Sequence, residues 1–285
     1  MSDLGTDNLL NTRDLNHIRL HNTLKLILGS ILLALPLVGI GQVTSPNRPA
    51  IAIGLKLSAQ AAGIANQNNY GQNEMDYQAN YSYGGGVTAA WHYSRKNSLF
   101  LEASIQQGGQ EYEDNFKHSA FKKVVRYNLL SFPVALRHVL SKAGSGYGGV
   151  GSEVKPLWYL VGGVQINHLL SPEVDWYVNQ IEVDFFEFVL EGGNPNQAIL
   201  EAMGAPASDE ELYVKWDILF IAGGGFRIHP NSVMSVSLEV RGGIGLTDIN
   251  TKDWRLENNR GVYGASRNTF LGLHAGVHFL LSPIQ

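Results

Sequence analysis

Beyond Gln42 the chain alternates apolar and polar residues with a period of two, and this constrains its fold more than any other feature. Ile51, Ile53, Leu55 and Leu57 alternate with Ala52, Gly54, Lys56 and Ser58. Leu101, Ala103 and Ile105 alternate with Glu102, Ser104 and Gln106, and Val236, Leu238 and Val240 with Ser237, Glu239 and Arg241. Near the end, Leu271, Leu273, Ala275, Val277 and Phe279 alternate with Gly272, His274, Gly276 and His278. A strand puts successive side chains on opposite faces, so each stretch reads as a strand with one apolar and one polar face. Eight such segments are expected, at 50–58, 81–93, 99–110, 124–140, 155–170, 213–228, 233–246 and 268–281. They exceed the ordinary strand of about 5–6 residues and suit a tilted membrane strand, which needs about 9–11. In the fourth segment the apolar phase slips from Val125, Tyr127 and Leu129 to Leu130, Phe132, Val134 and Leu136. A bulge near Leu129 and Leu130 would restore the faces.

Alternation does not say which face is inside, because a soluble lipocalin-like barrel alternates equally well. The second segment favours an apolar exterior. Tyr81, Tyr83, Gly85, Val87, Ala89, Trp91 and Tyr93 share one face, with aromatics at both ends and small residues between. That is the layout of an apolar band about 25 Å tall between two aromatic girdles. Trp158, Trp216 and Tyr127 are candidates to extend the girdles. The opposite faces collect Lys56, Glu102, Arg126, Asn128, Arg137, Gln165, Asn167, Asp217, Arg227, Glu239 and Arg241. In an eight-stranded barrel these side chains fill the lumen, and buried charges must pair or be hydrogen-bonded. The expected fold is therefore an eight-stranded antiparallel up-and-down transmembrane β-barrel with a polar plug. Mean hydropathy is near zero (-0.07), which excludes a helical membrane bundle but not a barrel.

Residues 1–41 read as a secretory signal, and 42–285 as the barrel domain. The run Leu26–Gly41 follows Lys25, is too short for the roughly 20 residues of a spanning helix, and ends in small residues before Gln42. Asp3, Asp7 and Asp14 in the long preceding stretch fit that pattern poorly. The net charge of -4 argues against a nucleic-acid partner, which needs a basic face. With no Cys in the chain, disulfides and thiolate metal sites are excluded.

The expected connections are 59–80, 94–98, 111–123, 141–154, 171–212, 229–232 and 247–267. An even strand count puts both ends on the periplasmic side, with 59–80, 111–123, 171–212 and 247–267 outside the cell. Segment 171–212 holds ten acids, among them Glu173, Asp175, Glu182, Asp184, Glu187 and Glu191, and no Lys or Arg. It is a candidate surface for a protein partner, with Trp176, Tyr177, Phe185, Phe186 and Phe188 giving it the apolar contacts to fold as a lid or a small hairpin. Gly146, Gly148 and Gly151 fit G-x-G-x-x-G but lack the preceding strand and following helix of a dinucleotide site. His274 and His278 share the lumen face about 13 Å apart along a strand, too far to chelate one metal together. No catalytic, metal or cofactor motif stands out, so neither an enzyme nor a cofactor is expected.

In this order the segments resemble the PorT-like outer-membrane β-barrel family of Bacteroidetes. The matching pieces are Ile53–Ser58 (IGLKLS), Tyr127–Leu136 (YNLLSFPVAL), Trp158–Leu170 (WYLVGGVQINHLL), Asp217–Arg227 (DILFIAGGGFR), Leu238–Ile249 (LEVRGGIGLTDI) and Leu273–Leu280 (LHAGVHFL). Two features depart from the family's pattern: a longer loop 171–212, and the final Ser282–Gln285 after Phe279. The resemblance implies an integral, monomeric barrel in contact with outer-membrane lipid, with a structural or interaction role in protein secretion or the envelope. A soluble exported lipocalin-like binder is the alternative, followed by a lipid-modifying outer-membrane enzyme.

Overall fold

In the computed structural model the alternating segments pair edge to edge until the last meets the first. The structure describes residues 50–65, 76–94, 96–116, 119–140, 156–183, 209–230, 233–255 and 262–281. The expected export segment, the turn glycines at 146–151 and most of the acidic loop lie outside them. The strands are β1 (Ala50–Ala65), β2 (Asp76–His92), β3 (Asn97–Phe116), β4 (Ser119–Val139), β5 (Leu157–Val178), β6 (Ile181–Val183), β7 (Trp216–Ile228), β8 (Met234–Gly245) and β9 (Arg267–Leu280). Every pairing is antiparallel, in the order β4-β3-β2-β1-β9-β8-β7-β5, and β4 also pairs with β5. Eight strands therefore close a ring, sealed between first and last by a register that includes Leu55↔Val277. Closure removes the sheet edges that would otherwise leave backbone groups unsatisfied in lipid.

The faces settle which side is apolar. Leu55, Val87 and Val240 face outward, 42%, 56% and 52% exposed, while Glu102 and Arg241 face inward at 6% and 1%. Trp91 lies beside Tyr93, and Trp158 beside Phe226, around one end of the belt. Tyr81, Tyr83 and Trp216 stand exposed towards the other. A soluble barrel would have the reverse polarity. An apolar exterior framed by aromatics is the surface that hydrocarbon requires.

The polarity inverts above the belt. On β3 the outward series Leu99, Leu101, Ala103, Ile105 gives way to Gln107, Glu111 and Glu113. At the same height the inward side chains become apolar. Ile64, Tyr112, Val125, Tyr127 and Leu129 form one buried cluster with Leu212, Tyr213 and Ile249. The strands thus continue into water as a conventional barrel with an apolar core. β3, β4 and β5 reach furthest, and 111–123, expected as a loop, is strand apart from residues 117–118, which are not described. Likewise 171–178, expected as the start of the acidic loop, prolongs β5.

This inversion accounts for the phase slip in β4. Its odd residues point inward throughout, from Val125 and Tyr127 in the rim to Ser131, Ala135 and Arg137 in the membrane. The face stays the same; the surroundings change. The irregularity lies on the partner strand, where Asn128 pairs with Ser171 but Leu129 with Leu169, leaving Leu170 as a bulge on β5. Pro133 is accommodated because the β3–β4 pairing lapses beside it, between Leu101↔Val134 and Ser104↔Ser131, without changing offset. Two expectations fall with the slip. Arg126 is not a lumen residue; it is half-exposed outside the rim and bonds Asp175 at 2.7 Å. Tyr127 belongs to no girdle, and its ring lies over Gly108, where a Cβ would come within 2.3 Å of it. Gly109 beside it has φ +130°, a conformation that side chains rarely adopt, and a Cβ there would meet the Val125 carbonyl at 1.9 Å.

Candidate functional site

Inside the belt, side chains from β1, β3, β4, β5 and β8 meet in one ionic network. Lys56 Nζ donates to Glu102 Oε2 at 2.6 Å, and Arg241 Nη1 reaches the same oxygen at 3.3 Å. Arg241 also grips Glu239 through Nε at 2.7 Å and Nη2 at 2.6 Å. Arg137 Nη2 and the Tyr159 hydroxyl both donate to Glu239 Oε2 at 3.1 Å. The Arg137 guanidinium is sandwiched between the Phe100 and Tyr159 rings, 4.6 and 4.2 Å from their centroids. Two carboxylates therefore hold three cations. Partners at these distances offset much of the desolvation that isolated charges would suffer here.

The plug leaves little space. The cavity bordered by Lys56, Arg137, Glu239, Arg241, His274 and His278 measures about 10 Å³, roughly room for one water. His278 is fixed by the Thr88 and Ser237 hydroxyls, each 3.1 Å from a ring nitrogen. His274 is buried, and neither ring nitrogen is hydrogen-bonded among the described residues.

Of the predicted lumen residues, Lys56, Glu102, Arg137, Glu239 and Arg241 come together in this network. Asp217 and Arg227 also point inward, at opposite ends. Asp217 sits at the rim, accepting from Thr247 Oγ1 at 2.6 Å and Asn268 Nδ2 at 2.7 Å, while Asn268 Oδ1 accepts from Tyr127. Beside it a cavity of about 20 Å³ is bordered by Tyr127, Leu129, Leu169, Tyr213 and Ile249. Arg227 lies near the end of β7 at the opposite mouth. Phe100 and Tyr159 escaped the sequence reading because an inward aromatic on a strand resembles any core residue. Only their pairing with Arg137 reveals a role.

The proposed partner loop divides. Glu173 is exposed on the β5 extension, whereas Asp175 is nearly buried against Arg126, so it offers no free charge to a partner. Glu182 lies on β6, which returns along β5 through a two-residue turn. Asn179 and Gln180 have φ of 51° and 69°, the left-handed pair of a type I′ hairpin. Trp176 and Tyr177 lie in a hairpin, paired with Val183 and Glu182; Phe185, Phe186 and Phe188, from which the same fold was expected, lie outside the described residues with Asp184, Glu187 and Glu191. Across the rim, Asp248 ties residues 250–255 to residues 263–266. Its Oδ2 accepts from Tyr263 at 2.5 Å and faces Arg255 Nε at 3.0 Å, and its Oδ1 accepts from the Asn250 and Ser266 amides. Burial and the Asp248 carboxylate push the Tyr263 hydroxyl up to about 12. Hydrogen bonding to Glu111 raises Lys122 above its ordinary value. Among the described residues no group of three or more His, Asp or Glu is placed to hold a metal ion.

No protein-family model matches the sequence, and no curated protein matches it. Among solved structures, the outer membrane protein OprG from Pseudomonas aeruginosa aligns over 84% of this chain and 99% of its own, at 10% identity and a TM-score of 0.42. The outer membrane protease OmpT from Escherichia coli aligns over 85% and 99%, at 9% identity and 0.38. Neisserial surface protein A aligns over 80% and 96%, at 9% identity and 0.36. The barrel is established by the strand register and the two faces, independently of these distant likenesses.

Proposed function

We propose that this is an integral, non-conducting and non-enzymatic barrel of a bacterial outer membrane, whose extended rim serves a structural or interaction role outside the cell. The observation that carries it is the pairing of an apolar, aromatic-framed exterior with a lumen shut by paired charges. An apolar exterior belongs in hydrocarbon, and a closed barrel satisfies its backbone there. A water-sized residual space inside does not support steady ion flow. The rim contributes hydrophilic outer faces on β3–β5, with Glu111, Glu113, Lys122, Arg126 and Glu173, suited to a protein partner. The finer reading, a PorT-like protein of Bacteroidetes exported by residues 1–41 and working as a monomer in secretion or the envelope, is supported by the strand motifs quoted above. The alternative of a lipocalin-like binder is disfavoured because its apolar cavity would have to occupy the space filled by the Glu102–Arg241–Glu239 network.

Heat-modifiable mobility of the membrane fraction on gels tests the closed barrel, and single-channel recording in planar bilayers tests the shut lumen. The expected results are a boiling-dependent shift and conductance near zero. Protein that stays soluble without detergent, or a large steady current, refutes the proposal.

A further inference from the structure

The apolar belt is not evenly covered. On one wall a groove of about 560 Å³ crosses β9, β1, β2 and β3, within the roughly 300–1,000 Å³ of ordinary ligand sites. Its cause is a pair of small outward residues set diagonally among large ones. Ala89 pairs with Ile53 on β1 and Leu101 on β3, while Ala103 pairs with Val87, itself opposite Leu55. Phe279 extends the β1 side, opposite Ile53. Ile53, Leu55, Val87 and Leu101 stand exposed, and the two alanines are half-buried between them. Thr88 and Glu102 also border the groove although their side chains are buried on the lumen side, so backbone forms part of its floor. Next to Ala103 the β3–β4 pairing lapses at Pro133. Beyond the groove, deeper in the belt, Leu57 lies over Gly85, where a Cβ would come within 3.2 Å of it. Towards the end where β1 begins, Trp91 follows Ala89 on the same face, its ring centroid 5.6 Å from that of Tyr93. The groove therefore opens beside one aromatic girdle and stops inside the belt.

We propose that this groove holds one acyl chain of a phospholipid from the leaflet at the end where β1 begins. The inference rests on the membrane reading above. The groove is continuous with the lipid-facing surface, so hydrocarbon is the material that meets it. Every outward residue lining it is apolar, so it suits the chain and not the headgroup. Lipid tails are as apolar as leucine, and burial alone gives a chain no preference for protein over other lipid. The preference comes from dispersion contacts, which a chain in the groove makes with both sides and the floor, and which an empty groove would forfeit. Trp91 and Tyr93 add rings with an apolar body and a polar tip at the depth where the chain meets its headgroup.

The test is native mass spectrometry of the detergent-folded full chain mixed with palmitoyl-oleoyl phosphatidylethanolamine. One lipid per barrel should survive the activation that strips detergent. The lipid-bound fraction should fall about tenfold or more in Ala89→Phe and in Ala103→Phe, whose rings take the place of the chain. It should be unchanged in Ala222→Phe, which adds the same ring to the outward face of β7 on the opposite wall. Heat-modifiable mobility confirms that each variant has folded, and Ala103→Phe carries the test if Ala89→Phe does not fold. It also separates the two possible failures. A wild type that shifts on boiling but retains no lipid overturns this inference and leaves the membrane barrel standing, whereas a wild type that does not shift overturns both. Lipid lost equally from Ala222→Phe, or retained in both groove variants, overturns the inference. So does a dimer that Ala89→Phe dissociates, which would give the groove to a second copy.

Discussion

Replacing Glu239 by Gln should be among the most damaging single-atom changes in the barrel. The carboxylate accepts from Arg241 Nε at 2.7 Å, lies 2.6 Å from Arg241 Nη2 as an ion pair, and accepts from Arg137 and Tyr159 at 3.1 Å each. Gln preserves size and one acceptor, but leaves two guanidiniums, each about 97% buried or more, with Glu102 as the one remaining carboxylate of the network. Removing one partner of a buried ion pair costs about 3–5 kcal/mol; the retained amide oxygen puts the expectation at the lower end. A loss of about 3 kcal/mol shifts the folding equilibrium roughly a hundredfold. Equilibrium urea unfolding in lipid vesicles, followed by tryptophan fluorescence, measures it. Glu113→Gln, at an exposed pair with Lys122, serves as the control and should cost less than about 1 kcal/mol. Adding Arg241→Gln to Glu239→Gln should cost less than the sum of the single changes, because the orphaned guanidinium is gone. If Glu239→Gln stays within about 1 kcal/mol of the wild type, the plug is hydrated and screened, and the closed-lumen reasoning fails.

Val240→Arg, in the lipid-facing belt, should destabilise by about 2–4 kcal/mol in vesicles. The same unfolding assay should find Glu113→Arg, which exchanges an exposed pair with Lys122 for a like-charge neighbour on the hydrophilic rim, within about 1 kcal/mol. Gln180→Gly relieves a left-handed residue in the β5–β6 hairpin and should be neutral or mildly stabilising, whereas Gln180→Val should cost about 1–2 kcal/mol; thermal melts of the two variants rank them. Tyr263 gives a pH dependence at the rim. Its folded value lies near 12 against an ordinary 10, so the fold favours the protonated phenol. That contribution is complete below pH 10 and disappears as pH rises through about 12. Difference absorbance of tyrosinate between wild type and Tyr263→Phe should show one late-titrating phenol, and ionisation of this residue near pH 10 would contradict the Asp248 contact.

The strand alternation alone determined that this chain forms long strands with opposed faces, and the run from Tyr81 to Tyr93 pointed to an apolar exterior. Period-two side-chain placement is a local consequence of backbone geometry, so it can be read without knowing any partner strand. The same locality let Lys56, Glu102, Arg137, Glu239 and Arg241 be assigned to the lumen. Which of them touch was beyond reach, since a 139-residue separation such as that of Glu102 and Arg241 is bridged only by barrel closure. Arg126 and Tyr127 were misplaced for a related reason. Polarity indicates a face only if the surroundings are known, and the height at which lipid gives way to water is set by the whole ring. Above that height the inward cluster of Tyr112, Val125, Tyr127 and Leu129 is apolar; below it the inward charges Lys56, Glu102, Arg137, Glu239 and Arg241 gather. Only the assembled barrel fixes where along β4 that exchange occurs.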